Sequence, residues 1–349
     1  MKRLIFRGIL LVAEDALGRR VAYKEHPGRV YIAGKASFAI QEAAMLFPTV
    51  REKVSLLGRS GTPQREGGEA VQEVFRDAWA KAGSEVSLPL YTEGSAEDIA
   101  AAAPDLVLLK TSSRLFGESL DPLGLPVAYL GLETPADYAR DIALLGTLLG
   151  AEDEATAVWA FYEAQMAAVA EAARRARESG AAAPRVLVCK VADGRGTEVC
   201  QVPPPDWIQT WMAEAAGGAP VWTNGLVPGQ WATVTMEQVA AWDPDALVVI
   251  CYGDGADKAV AAMGESAAWG ALRCWREGRV YAMPGDTYSW DLPTPRWILG
   301  LTWMATRLLP AEAAGGLSVA DAAVGFYGLM GVPEDMVRGR VLPLIGEAL

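Results

Sequence analysis

Two stretches of this chain follow one pattern, and that repeat restricts the possible folds more than any other feature. "SAEDIAAAAPDLVLL" occupies residues 95–109 and "TMEQVAAWDPDALVVI" occupies residues 235–250. Each opens on a hydroxyl residue, Ser95 or Thr235, with Asp98 or Gln238 three positions on. That spacing caps a helix N-terminus reciprocally. Each then reaches a Pro-Asp pair, Pro104–Asp105 or Pro244–Asp245, where proline cannot continue the helix. A short uninterrupted apolar run follows, the mark of a strand buried on both faces of a parallel sheet. A helix feeding such a strand is half of a βαβ unit, and the chain carries two of them.

The flanks agree. "RVYIAG" (29–34) and "RVLVCK" (185–190) read as first strands of two similar units, and "LPVAYL" (125–130) and "GRVYAM" (278–283) as a further strand in each. The expected fold class is therefore α/β, with two Rossmann-like lobes on parallel-type sheets at residues 1–133 and 181–349. Near the start, "LGRR" (17–20) reads as a turn between two short strands. Residues 134–180 form a linker region rich in Ala, Leu and Glu. Pro135 suits a first helical turn, and Gly146 and Gly150 mark a break. Residues 152–179 then read as one helix, roughly 40 Å long at ~1.5 Å per residue. That length suits a rigid bridge between the lobes, with a ligand cleft between them.

Composition acts mainly by exclusion. A formal net charge of −12 over 349 residues disfavours nucleic acid, which needs a cationic face. No apolar run approaches the ~18 residues that span a bilayer, and the basic start lacks the apolar length and small-residue cleavage site of a signal peptide. The single histidine, His26, stands before Pro27 and leaves no basis for a Ser-His-Asp triad or a His-rich metal site. Four cysteines, Cys189, Cys200, Cys251 and Cys274, lack zinc or iron–sulfur spacing. Buried free thiols and one or two disulfides both remain open for them. No nucleophile–base–oxyanion set, dinucleotide fingerprint or P-loop can be assembled, so no enzyme chemistry and no cofactor are expected.

In open parallel sheets, ligands gather beyond the carboxyl ends of the strands, which singles out the segments there. In the first lobe these are "GKASFAIQ" (34–41), "GRSGTP" (58–63) and "KTSSR" (110–114), which place Lys35 with Ser37, Arg59, and Lys110 with Ser112 and Arg114. Small residues at such turns expose backbone N–H groups that hold anions. In the second lobe, "VPPPDW" (202–207), "GQW" (229–231), "CYGDG" (251–255) and "GDTYSWDLPTPRW" (285–297) supply Trp207, Trp231, Tyr252, Tyr288, Trp290, Asp291 and Arg296. Rigid rings with polar tips suit a planar or greasy ligand. Asp206, Asp254, Asp286 and Asp291 could pair with Arg296 in a structural ion pair or meet a metal. In the last segment the two prolines stiffen a turn. The residues before Pro295 are assigned to the site, and Ile298, Leu301 and Trp303 to the core.

With these residues in view, the chain resembles the substrate-binding proteins of ABC importers in the class with a single rigid helix between lobes. The resemblance rests on the opening at residues 15–34, on both Pro-Asp repeats, and on "GRVYAMPGDTYSWDLPTPRWILGLTWMATRLLP" (278–310), and it covers nearly the whole chain. It implies an extracytoplasmic protein, its export signal not part of this sequence. It also implies a monomer that captures a ferric siderophore, haem or corrinoid and delivers it to a dimeric permease. A small oxyanion such as molybdate or tungstate is the alternative ligand. A nitrogenase-like metal-cluster enzyme is a distant third, since it needs cysteines from both halves and the first half has none. By the same resemblance, Glu66 or Glu69 and Glu214 are the acidic residues expected to dock the permease, one on each lobe. Tyr252 or Tyr288 would stand in for an absent histidine ligand.

Overall fold

In the computed structural model, which describes residues 10–24, 27–58, 68–81, 95–191, 199–224, 229–253 and 255–346, both repeats take the form their sequences predict. Ser95 and Thr235 each head a helix, Ala96–Ala101 and Met236–Trp242, and each closes a capping box with Asp98 or Gln238. The Pro-Asp aspartates then tie each repeat to the neighbouring strand. Asp105 accepts the Arg29 backbone N–H at 3.0 Å, and Asp245 accepts that of Arg185 at 2.7 Å. The two arginines return the bond, donating to the carbonyls of Ala102 and Trp242 at the ends of the capped helices. One local device thus sets strand register in both halves.

The chain divides into two units. One comprises Met1–Thr62, Arg76–Ala160 and Leu329–Gly331; the other comprises Pro63–Phe75, Phe161–Gly328 and Val332–Leu349. The first unit opens with an antiparallel hairpin of β1 (Leu10–Glu14) and β2 (Arg20–Lys24), as the "LGRR" turn predicts. Its sheet holds β3 (Arg29–Ala33), β4 (Ser55–Gly58), β5 (Leu106–Lys110) and β6 (Val127–Leu130) in the order β4-β3-β5-β6. All three pairings in it are parallel, and every residue of β5 and β6 is buried.

The second sheet departs from a purely parallel plan. It is built from β7 (Arg185–Lys190), β8 (Val199–Val202), β9 (Ala219–Pro220), β10 (Ala232–Thr235), β11 (Ala246–Ile250) and β12 (Val280–Ala282). Strands β7, β9, β11 and β12 are parallel, whereas β8 runs against both β7 and β10. Strand β8 meets β7 only where Lys190 faces Gln201, so β8 and β10 extend the sheet past the carboxyl end of β7.

The linker region divides. Helix Pro135–Leu149, capped by Thr134 and ended by Gly150 at φ 63°, packs into the first unit through Tyr138, Ile142, Leu145 and Leu148. Helix Glu152–Glu178, 27 residues against the 28 expected, carries the chain from the first unit into the second. No helix among the described residues is long and apolar enough to cross a membrane. All four cysteines are buried free thiols. His26 lies outside the described residues.

Candidate functional site

The strand ends of the first unit are polar, but most of their charges are already engaged. Lys110 ends β5 and is 1% exposed; its ammonium lies 2.7 Å from Glu133 and donates to the Leu132 carbonyl at 3.3 Å. That carbonyl is held in place by the buried Asp141, which accepts the backbone N–H groups of Gly131 and Leu132 at 2.6 and 2.9 Å. Arg114 and Ser112 are exposed, and Arg114 pairs with Glu118 at 3.1 Å. Lys35 is exposed and makes no ion pair with the described residues. Its backbone N–H donates to Ser113 Oγ at 2.9 Å, and Ser37 opens the following helix buried, with no side chain capping that end. Arg59 and Glu66 lie outside the described residues. Glu69 and Glu214 are both exposed, yet both fall in the second unit rather than one in each.

In the second unit, side chains from four segments converge around the carboxyl end of β7. Lys190, the last residue of β7, is half-buried, with its ammonium 4.3 Å from the ring centroid of Trp231 and 5.7 Å from that of Tyr252. Trp207 meets Trp231 edge to face at 5.6 Å. The Tyr252 hydroxyl donates to Asp291 Oδ2 at 2.9 Å, Gln209 Nε2 donates to the same oxygen at 3.3 Å, and Ser289 donates to Oδ1 at 2.5 Å. Trp231 stands here although it precedes a strand, because β10 begins beside Val202, one position from the residue that faces Lys190.

Electrostatics follow from this packing. Burial pushes the Asp291 carboxyl above the usual aspartate range, against the opposing pull of Ser289, Tyr252 and Gln209. Burial, and then the Asp291 charge, drive the Tyr252 phenol well upward, so it remains a hydrogen-bond donor. Burial lowers the Lys190 ammonium below the usual lysine range, and Asp291 partly restores it.

The segment 285–297 divides earlier than at Pro295. Tyr288, Trp290 and Arg296 are 1%, 0% and 0% exposed. The Arg296 guanidinium is held by Asp286 at 2.6 Å, both side chains fully buried, and Tyr327 donates to the other Asp286 oxygen. This is the structural ion pair that the nearby acids foreshadowed, and it leaves Arg296 fully buried. Ser289 and Asp291 join the polar cluster. Sequence reasoning missed Lys190 and Gln209. The available signal for Lys190 was its place: it ends "RVLVCK" where the matching strand of the first repeat ends in glycine.

This arrangement presents rings, one cation and a screened acid, with the site hydroxyls committed to Asp291; its chemistry is recognition. Among the described residues no three His, Cys, Asp or Glu side chains gather as metal ligands. Residues 45–287 match the model of the family described as periplasmic binding protein, and the chain belongs to that family. That family is one of binding proteins, not of enzymes.

Solved structures share its fold. A periplasmic solute binding protein from Veillonella parvula aligns with a TM-score of 0.68 at 18% identity, covering 97% of this chain and 99% of that one. The molybdate-bound periplasmic protein MolA of Haemophilus influenzae gives 0.68 at 15% identity, covering 92% and 98%. A protein of an ABC-type Fe3+-hydroxamate transport system from Saccharomonospora viridis gives 0.57 at 22%, covering 88% and 99%. No match is found among curated proteins.

Proposed function

We propose that this protein captures a metal chelate, such as a ferric siderophore, haem or corrinoid, outside the cytoplasm and delivers it to the permease of an ABC importer. The observation that carries the reading is the set of rings around Lys190: Trp207, Trp231 and Tyr252 come from three separate segments and meet at the end of β7. Three rings offer a broad, stiff surface to a flat or bulky ligand, which a tetrahedral oxyanion does not need. The first unit supports the same preference, since Lys110 and Arg114 already pair with Glu133 and Glu118. The exposed carboxylates Glu69 and Glu214 are the proposed contacts for the permease.

Calorimetry of the purified protein against ferric trihydroxamate, ferric tris-catecholate, haem, cobalamin, molybdate and tungstate tests this. The expected result is one-to-one binding of at least one chelate, weakened by Trp231→Ala. Binding confined to the two oxyanions, and lost in Lys35→Ala, would replace the chelate with an oxyanion as cargo.

A further inference from the structure

Lys190 poses a physical problem in this fold. A lysine ammonium carries three N–H donors and no acceptor. Here it is half-buried, yet it forms no hydrogen bond or ion pair with the described residues. Its neighbours are the faces of Trp231 and Tyr252, at 4.3 and 5.7 Å. Ring faces attract the charge, but they are poor acceptors for its N–H groups. Among the described residues Asp291 is the acid that acts on it appreciably, and it stays outside ion-pair distance with its oxygens taken by Ser289, Tyr252 and Gln209. That commitment separates the acid from the cation. An acid free to swing would close on Lys190 and cancel it, and three donors hold this one back.

The result is a partly desolvated cation with no acceptor among the described residues, flanked by rings. Such a group is costly to maintain unless something anionic meets it. The rings set the shape of what meets it. They complement a flat conjugated frame and offer few donors of their own, so a compact anion would find one ammonium and little else. We infer that Lys190 reads an anionic oxygen carried on a planar frame, a carboxylate or deprotonated phenol of an aromatic chelator, whose flat face rests on Trp231. The inference deepens the chelate-binding reading and rests on it.

The test uses the full chain and two ferric chelates of comparable size, a negatively charged tris-catecholate and a neutral trihydroxamate, with molybdate as a third arm. Wild type should bind the catecholate at least tenfold more tightly than the trihydroxamate. Lys190→Gln should weaken the catecholate roughly 10- to 100-fold, the range of a charge-assisted hydrogen bond, and leave the trihydroxamate within about threefold. Lys190→Arg keeps the charge and should retain most of the affinity. A wild type that prefers the neutral chelate, or a folded Lys190→Gln that binds both equally well, overturns the assignment of Lys190 while the chelate reading stands. Binding of molybdate alone overturns both. If Lys190→Gln does not fold, the wild-type preference between the two chelates decides the question without it.

Discussion

At the scale of single residues, two buried charges behave oppositely. Arg296 and Asp286 are matched, with 0% side-chain exposure each and a 2.6 Å contact. Tyr327 and the Tyr288 amide complete the Asp286 carboxylate. Removing one partner strands the other inside the protein, a change that costs ~3–5 kcal/mol. Arg296→Met should lower stability by about that amount in denaturant unfolding. A residue that only touches ligand would leave stability within ~0.5 kcal/mol. Asp291, in contrast, has hydrogen-bond donors but no ion-pair partner among the described residues. Its folded carboxyl holds its proton more tightly than the unfolded chain's does, so ionisation works against the fold. Stability should therefore fall as pH rises from the ordinary aspartate range through the raised folded value. Asp291→Asn should remove that part of the slope. Equal slopes for the two proteins, measured by chemical unfolding across the acid range, would contradict this account of Asp291.

At the scale of elements, the helix Trp297–Leu308 is pressed against the loop before it. A Cβ added at Gly300 would lie 2.5 Å from the Trp290 carbonyl oxygen, a backbone atom that has little room to move. Gly300→Ala should accordingly cost ~1–3 kcal/mol, visible as a lower melting temperature. The same segment explains how far the sequence could be read. The repeats were legible because their information is local: a hydroxyl cap, an acid or amide three residues on, proline, then a buried strand. Ser95 and Thr235 obey that grammar without reference to anything distant.

The site was only partly legible, because whether a ring lines a surface or fills a core depends on what covers it. Trp207, Tyr252 and Asp291 follow strands and come together there, whereas Trp231 joins them from the start of β10. Trp290 and Tyr288 obey the same rule in sequence but are buried, Trp290 against the helix Trp297–Leu308. Lys190 is not marked by the strand-end rule, because it is the last residue of the strand itself rather than part of the segment after it. Its role appears only when β8 and β10 bring Trp207 and Trp231 past the end of β7.

At the scale of the whole molecule, two α/β units, a helix of 27 residues that passes from one into the other, and a site made of rings and one cation characterise a protein that holds rather than transforms. The net charge of −12 makes the cation at Lys190 a local exception on an acidic molecule. The central claim is that a metal chelate binds at the rings of the second unit. Its most direct test is a titration of intrinsic tryptophan fluorescence with a ferric chelate, followed by recovery of the ligand. Saturation at one equivalent, a chelate recovered unchanged, and at least tenfold weaker binding in Trp231→Ala are the predicted results. A chelate that fails to saturate the protein, or one that binds Trp231→Ala as tightly as wild type, would contradict it.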